Sequence, residues 1–151
     1  MQIRKALPSD RERIDELFRE MLRSIFPDRE PEGYEEGYLD KFFLGGEDWI
    51  ILAQEGDVTV AYLSVEVYRD PEQYVYLDDL SVTEAYRDRG VGTALIRRAE
   101  AYWKQLGLPH IIFHVEKSNE NAQRLYERLG FRVLRDDGHR WLMGKELREG
   151  P

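Results

Sequence analysis

A glycine-containing loop, Arg87–Thr93, is the part of the sequence whose residue types most clearly indicate chemistry. Gly90 and Gly92 allow the backbone to approach an anion without an intervening Cβ, and the helical run that follows directs its unpaired N–H groups to the same place. A P-loop would require lysine where the chain has Thr93, and a dinucleotide-binding fingerprint would require a third glycine where it has Leu95. Both classes of nucleotide site are therefore disfavoured, and a different phosphate-binding loop is expected.

Side chains that can exchange protons lie on either side of this loop. Asp78 and Asp79 lie within the β-rich run Tyr74–Val82 before it, and His114 lies in the apolar run Ile111–Val115 after it. Neighbouring residues of a regular strand project to opposite faces, so at most one of the two aspartates is expected in a given site. Histidine titrates nearest to neutral pH, which suits a general base, yet a histidine in an apolar strand is more often a hydrogen-bonded structural residue. The residue types alone leave the base open.

Composition restricts the classes of protein to which this chain can belong. Its 151 residues are 42% hydrophobic, enough for one substantial core, and we expect one domain over residues 1–151. The absence of cysteine excludes a thiol nucleophile, a disulfide framework and cysteine-ligated metals. The net charge of −8 disfavours nucleic acid as a partner and favours cationic ligands such as amines. No apolar run approaches ~18 residues and no signal-peptide pattern is present, so we expect no membrane association and a cytoplasmic location.

The elements that must position these side chains follow from hydrophobic periodicity. Strands are predicted at Ile3–Ala6, Trp49–Ala53, Val58–Tyr68, Tyr74–Val82, Pro109–Val115, Phe131–Leu134 and Arg140–Leu147. Helices are predicted from a Ser9–Glu12 capping box to Pro27, from Gly90 to Gly107 and from Ala122 to Gly130, with a further short helix or ordered loop between Phe26 and Gly46. The helix from Gly90 must connect two parallel strands by a right-handed crossover. The predicted class is α/β (α+β), a mixed sheet with helices on both faces.

This order of elements, together with five local motifs, resembles the GNAT (GCN5-related N-acetyltransferase) superfamily over nearly the whole chain. The motifs are Ile3–Ala6 with Asp10, Leu80–Val82, the Arg/Gln-x-x-Gly-x-Gly/Ala pattern at Arg87–Gly92, Ser118–Ala122 and Leu125–Phe131. One departure is Ala61-Tyr62, where many relatives carry a glycine near the middle of the third strand. The resemblance implies a GNAT fold, in which a mixed six- to seven-stranded sheet splays between its fourth and fifth strands.

The resemblance also implies acetyl-CoA (coenzyme A) as the donor substrate. Its pyrophosphate would be held by the Arg87 side chain and the backbone amides of Arg89 to Thr93, and its pantetheine arm would pair with free backbone groups of Leu80–Val82. An N–H near Leu80 would face the developing oxyanion. Asn119 is expected to contact the pantetheine, to cap the last helix, or both. The expected coenzyme A residues are Leu80, Val82, Arg87, Arg89, Gly90, Val91, Gly92, Thr93 and Asn119.

Three catalytic residues are implied in the same way. Tyr126 has the spacing of a core residue, but the family pattern places its hydroxyl near the coenzyme A sulfur as a general acid. A phenol of pKa ~10 protonates a thiolate of pKa ~8.5 only at a cost of about 2 kcal/mol, so hydrogen bonding to the leaving thiolate is expected to matter more than full transfer. Asp79, acting through water, is the expected general base, with His114 as the alternative.

The expected activity is direct transfer of an acetyl group to a primary amine of a small molecule, peptide or protein. The acidic segment Asp28–Tyr38 is expected to form part of the acceptor wall, with Tyr34 or Tyr38 packing on the cation. Its acidic side chains include Glu30, Glu32, Glu35 and Glu36. The alternative is a non-catalytic acyl-CoA-binding sensor or interaction module of the same fold. No metal site is expected, because the three histidines have no cysteine partners, and a homodimer through the final strands is compatible with the sequence.

Overall fold

The computed structural model describes residues 1–148, in which seven strands form one mixed sheet of order β1-β2-β3-β4-β5-β7-β6. The strands are β1 (Gln2–Lys5), β2 (Trp49–Glu55), β3 (Val58–Tyr68), β4 (Tyr74–Val82), β5 (His110–Glu116), β6 (Arg132–Asp136) and β7 (Arg140–Glu146). The helices are α1 (Arg11–Ile25), α2 (Val91–Leu106) and α3 (Glu120–Arg128), with short 3-10 helices at Pro8–Asp10, Tyr38–Phe43 and Glu84–Tyr86. The predicted mixed sheet and order of elements are confirmed. Among the helices of residues 1–148, none has the length and apolar character needed to cross a bilayer.

Two clusters of buried side chains cover the two faces of the sheet. Ile51 and Ala53 of β2 belong to a larger cluster that packs against α2, whereas Ile50 and Leu52 belong to a smaller cluster that packs against α1. This alternation is the two-residue period of a strand buried on both faces. We call the two sides of the sheet the α2 face and the α1 face.

The start of α1 differs from the sequence prediction. Ser9 was expected to cap the helix with Glu12 as its reciprocal partner, but no side chain caps α1 in this way. Instead, the Asp10 carboxylate accepts the N–H of Leu7 at 2.8 Å and two hydrogen bonds from Arg4 at 2.8 and 2.9 Å. The predicted capping box is therefore wrong, because a carboxylate paired with a guanidinium is a stronger acceptor than a serine hydroxyl. The hydrogen bond from Arg4 holds the pKa of Asp10 below its ordinary value.

The parallel strands β4 and β5 diverge after a short pairing. Val75 pairs with Ile111 and Tyr76 with Ile112, and no further pairs follow although β4 continues to Val82. The predicted splay between the fourth and fifth strands is confirmed. The later part of β4 consequently carries backbone groups that have no strand partner on the β5 side.

A β-bulge interrupts β4 where the two aspartates lie. Asp78 and Asp79 together face a single residue of β3, Ser64, whose hydroxyl accepts the N–H of Asp79 at 2.8 Å. Leu77 and Leu80, three residues apart, both pack on the α2 face. The expectation that neighbouring aspartates alternate as in a regular strand is thereby corrected, since an extra residue in one strand shifts every later side chain by one position.

Gly144 of β7 lies so close to the backbone of β5 that a larger residue would disturb the pairing of the two strands. A Cβ there would lie 2.5 Å from the carbonyl oxygen of Ile111 and 2.8 Å from the Ile112 side chain. Gly144→Ala is therefore expected to destabilise the protein by roughly 1–3 kcal/mol, measured by urea unfolding. Gly46→Ala is the control, because a Cβ at Gly46 meets no atom within 4 Å. Equal stability of the two variants would contradict the pairing of β5 with β7.

Candidate active site

The predicted phosphate loop lies at the N-terminus of α2. Gly90 is the N-cap residue with a φ of 78°, and α2 begins at Val91. Because the N–H of Ala94 donates to the Gly90 carbonyl at 3.0 Å, the amides before Ala94 are directed out of the helix end. These free donors and the partial positive charge of the helix dipole suit an anion such as a pyrophosphate.

The arginines of the loop have different surroundings. The Nε of Arg87 donates to the Val82 carbonyl at 2.9 Å, and its guanidinium is 3.5 Å from the carboxylate of Glu20. Arg89 lies over the ring of Tyr86, 5.1 Å from its centroid. Both arginines are exposed, so their remaining N–H groups are accessible to a ligand. Arg87 also ties the loop to the end of β4, which is where the pantetheine is expected.

The loop lies beside the splayed strand. A Cβ added at Gly92 would lie 3.6 Å from the Leu80 side chain and 4.0 Å from that of Val82. The fold thus brings the predicted pyrophosphate loop and the predicted pantetheine strand together. Asn119 lies at the start of α3, where its side chain accepts the N–H of Ala122 at 3.1 Å, so the predicted helix cap is confirmed.

Gly90→Val is expected to weaken acetyl-CoA binding roughly tenfold or more, because the side chain would enter the space in front of the free amides. Calorimetric titration of acetyl-CoA measures this effect. Gly107→Val is a matched control at the opposite end of α2, since Gly107 has a similar φ of 71° and open space around its Cβ position. Both variants are expected to lose about 1–2 kcal/mol of stability from the left-handed backbone. Equal acetyl-CoA affinity of the two variants would contradict the pyrophosphate assignment.

A small cavity of about 50 Å³ lies where β4 and β5 diverge. It is lined by Leu63, Leu77, Asp78, Leu80, Ile96, Phe113, His114 and Tyr126. The apolar members and Tyr126 belong to, or pack against, the cluster on the α2 face. His114 alternates with the buried Phe113 and Val115 and so projects toward the opposite face. Residues from both faces of the sheet therefore line the cavity, which is apolar on one side and polar on the other.

Tyr126 lines this cavity from α3. Its ring packs edge-on against Phe113 with centroids 4.6 Å apart, which agrees with the core-like spacing seen in the sequence. Desolvation by burial raises the pKa of Tyr126. The hydroxyl consequently stays protonated at neutral pH and is available as a hydrogen-bond donor.

The two aspartates of the bulge have distinct environments. Asp78 lines the cavity and is exposed on its polar side, where desolvation, followed by the negative charges of Asp79 and Glu66, raises the pKa of Asp78 to about 6. Asp79 accepts a hydrogen bond from the Tyr34 hydroxyl at 2.6 Å, and that hydroxyl lies 2.7 Å from the hydroxyl of Tyr62. Desolvation also raises the pKa of Asp79, although the bond from Tyr34 opposes it. Of the two aspartates, Asp78 is thus the one that lines the cavity together with Leu80 and Tyr126.

His114 has a hydrogen-bond partner at each ring nitrogen. Its Nδ1 lies 2.6 Å from the Tyr76 hydroxyl, and its Nε2 lies 2.8 Å from the Asp137 carboxylate. Neither Tyr76 nor Asp137 was among the site residues predicted from the sequence. Tyr76 could have been found, because it precedes Asp78 by two residues on the same strand. Asp137 carried no signal, since it lies 23 residues from His114 in the turn between β6 and β7.

The acidic, aromatic segment before β2 lies beside this polar side of the cavity. Tyr34 stacks on Phe18 at 3.8 Å and on Tyr38 at 4.9 Å between ring centroids. Lys41 forms an ion pair with the buried Glu66. Within residues 1–148, no three His, Asp or Glu side chains are grouped so as to hold a metal ion.

Comparisons with known proteins place these features in a family. A sequence profile of the acetyltransferase (GNAT) family matches residues 12–131. The mycothiol acetyltransferase of Corynebacterium efficiens is 32% identical over 84 residues, which are 56% of this chain and 28% of that protein. The chain therefore spans less than a third of the length of that relative.

Solved structures share the fold over almost all of both chains. The paia N-acetyltransferase of Thermoplasma acidophilum, in complex with coenzyme A, matches with a TM-score of 0.75 at 20% identity and covers 97% of this chain and 98% of that chain. The yncA protein of Salmonella typhimurium, with acetyl-CoA, matches with a TM-score of 0.78 at 22% identity. The match covers 100% of this chain and 96% of that chain. These likenesses show the fold, and the profile match shows more: the chain belongs to the acetyltransferase (GNAT) family.

Proposed function

We propose that the protein is an acetyl-CoA-dependent N-acetyltransferase that transfers the acetyl group directly to a primary amine. The observation that carries the proposal is the cavity between β4 and β5. On the α2 face it adjoins Tyr126 and Leu80, which lies beside Gly92 in the first turn of α2; on its polar side it presents Asp78. Donor and acceptor can therefore enter from opposite faces of the sheet and meet at the splay.

The residues on the α2 face fit coenzyme A. Open space in front of Gly90, free amides at the start of α2 and the exposed Arg87 suit a pyrophosphate, and the unpaired backbone of β4 suits the amide groups of a pantetheine arm. Acetyl-CoA supplies a thioester whose sulfur leaves as a thiolate. The N–H of Leu80 donates to the developing oxyanion, and the Tyr126 hydroxyl donates to the leaving sulfur.

We propose Asp78 as the group that accepts the proton from the amine. Transfer from an ammonium of pKa ~10 to a carboxylate of pKa about 6 costs about 5 kcal/mol, compared with about 8 kcal/mol for an ordinary aspartate. One oxygen of the Asp79 carboxylate accepts the Tyr34 hydroxyl, and both nitrogens of His114 are paired, with Tyr76 and Asp137. Asp79 and His114 stay testable alternatives, because either can exchange protons through a water molecule.

The polar side of the cavity favours a cationic acceptor. Asp78, Asp79 and Glu66 place three carboxylates together, whereas two cations act against them: Lys41 forms an ion pair with Glu66, and the charge of Arg140 also acts on Asp78. The excess of negative charge attracts an ammonium and opposes an anionic acceptor. The acceptor class that follows is a primary amine of a small molecule or a peptide.

The test combines acetyl-CoA titration with a thiol-release assay. The amine panel contains aliphatic diamines, polyamines, amino sugars, amino acids and peptides with a free N-terminus or lysine. Micromolar acetyl-CoA binding and amine-dependent release of coenzyme A are expected, with the acetylated amine identified by mass spectrometry. Acetyl-CoA binding with no turnover on any amine would favour an acyl-CoA sensor or interaction module instead. Absence of acetyl-CoA binding would contradict both.

A further inference from the structure

A hydrogen-bonded chain of four side chains reaches the polar side of the cavity from the turn between β6 and β7. Arg135 donates to Asp137 at 2.6 and 3.0 Å, Asp137 contacts the Nε2 of His114 at 2.8 Å, and the Nδ1 of His114 contacts the Tyr76 hydroxyl at 2.6 Å. The side chains of His114 and Asp137 are only 16% and 20% exposed, so little solvent competes for these bonds. This series of hydrogen bonds links the turn between β6 and β7 to β4, the strand that carries Asp78.

When His114 is neutral, the donor and acceptor groups of these side chains allow only one direction for each hydrogen bond. The hydrogen bonds from Arg135 and His114 lower the pKa of Asp137, so its carboxylate is ionised and can only accept. The Nε2 of His114 must then carry the proton, which leaves Nδ1 as an acceptor. Tyr76 must in turn donate its single hydroxyl proton to Nδ1. Its oxygen is left with lone pairs only, as an acceptor for a third group.

The Tyr76 oxygen lies on the side of the sheet where the acceptor is proposed to bind. Tyr76 pairs across the strands with Glu66, and Asp78 follows two residues later on β4. Tyr76 is half-buried, and its pKa is raised to about 12. Desolvation is the largest cause of this rise, and the negative charge of Asp78 is the second. The phenol is therefore neutral at working pH, and it is close to Asp78.

We propose that Tyr76 is a specificity residue that accepts an N–H of the acceptor amine, and that Asp137 and His114 are positioning residues that keep its oxygen free to do so. This inference rests on the proposed function. A primary ammonium has three N–H groups, of which one can meet Tyr76 while another transfers its proton to Asp78. Two acceptors converging on one nitrogen favour primary amines over alcohols, which have one O–H, and over tertiary amines.

Asp137→Asn tests the direction of the chain with almost no change of shape. An amide can donate to Nε2, which allows His114 to carry its proton on Nδ1 and turns the Tyr76 proton toward the acceptor. The KM for the amine is expected to rise roughly 10- to 100-fold, with kcat changed less than threefold and acetyl-CoA affinity unchanged. Tyr76→Phe is expected to raise KM to a similar extent. The double variant is expected to match Tyr76→Phe alone, because both changes remove the same contact.

Asp136→Asn is the matched control, since Asp136 is in the same turn but bonds to Lys117 and to the N–H of Gly138. Asp136→Asn removes the same negative charge as Asp137→Asn, but the KM for the amine is expected to stay within twofold of the wild-type value. An Asp137→Asn effect no larger than that of Asp136→Asn, or additive effects of Asp137→Asn and Tyr76→Phe, would overturn the inference.

Nitrogen-15 NMR of the His114 ring gives a measurement that needs no acceptor. The neutral form of the wild-type ring is expected to carry its proton on Nε2, and Asp137→Asn is expected to lose that preference. The opposite tautomer in the wild type would overturn the inference even in an active enzyme. A wild type that has the Nε2–H tautomer but acetylates no amine would instead contradict the proposed function.

Discussion

Asp78→Asn is expected to lower kcat/KM for the amine by roughly 10²- to 10⁴-fold, the usual contribution of a positioned general base. Asparagine preserves the shape of the side chain at the mouth of the cavity but cannot take up the proton. Acetyl-CoA affinity is expected to stay within about twofold, because Asp78 lines the cavity on the proposed acceptor side and not the phosphate loop. Steady-state kinetics and acetyl-CoA titration measure the two effects separately.

The pH dependence identifies the base more sharply than the loss of rate. Because the pKa of Asp78 is raised to about 6, the active carboxylate form prevails above pH 6. Wild-type kcat/KM is expected to fall about tenfold per unit as the pH decreases below 6 and to be nearly constant from pH 7 to 9. In Asp78→Asn this limb is expected to disappear, leaving a rate that rises toward the amine pKa of ~10. A limb near pH 6 that survives in Asp78→Asn would exclude Asp78 as the base.

Stability is expected to change in the opposite direction from activity. A carboxyl whose pKa is raised on folding does not affect stability below its unfolded pKa of 3.8, and it destabilises the fold as the pH rises through 6. Asp78→Asn removes that penalty above pH 6. Because the side chain is exposed and solvent screens the charges, the gain is expected to be about 1 kcal/mol in urea unfolding at pH 7.5. No gain at that pH would count against a strained carboxylate at this position.

Asp79→Asn and His114→Gln complete the comparison. Asp79→Asn removes the acceptor of the Tyr34 hydrogen bond, and His114→Gln removes the link between Tyr76 and Asp137. Both are expected to retain the acid limb near pH 6, because Asp78 is still present. If the acid limb were lost in Asp79→Asn or in His114→Gln but retained in Asp78→Asn, the residue changed in the variant that lost it would be the base, and Asp78 would not.

Tyr126→Phe is expected to lower kcat roughly 10- to 150-fold, with acetyl-CoA affinity nearly unchanged. In the proposed reaction the deleted hydroxyl donates to the leaving sulfur, and a hydrogen bond to a charged group contributes about 1.5–3 kcal/mol. The Phe ring can keep the edge-on contact with Phe113, so stability is expected to change by less than about 1 kcal/mol. Pre-steady-state release of coenzyme A isolates the acetyl-transfer step from product release.

Tyr102→Phe is the matched control for this prediction. Tyr102 is also a helical tyrosine of the α2 face, and its hydroxyl donates to the Glu47 carbonyl at 2.7 Å, outside the lining of the cavity. It is expected to cost about 1 kcal/mol of stability and to leave kcat unaltered. Equal kcat values for the wild type and Tyr126→Phe would contradict the role of Tyr126 at the sulfur.

Local signals in the sequence were sufficient for the fold. The end of α2 at Gly107 was predictable because a left-handed glycine commonly ends a helix independently of tertiary context, whereas its start at Gly90 followed from the glycine loop between a strand-like run and a helical run. The crossover from β4 through α2 to β5 followed from the order of elements. The Ser9 capping box failed because Arg4, on β1, pairs with Asp10 and replaces the local cap with a tertiary one.

The sequence by itself predicted the glycine loop before a helix and the order of strands, because these depend on contacts within a few residues or on the topology of a single crossover. The splay of β4 from β5 and the role proposed for Tyr126 came from the family resemblance. Only the tertiary structure showed the surroundings of the proposed acceptor side. The bulge at Asp78 depends on the register of β4 against β3, and the partners of His114 come from another strand and from a distant turn. Proton chemistry depends on such long-range neighbours, because burial and nearby charges, not residue type, set which carboxylate titrates near pH 6.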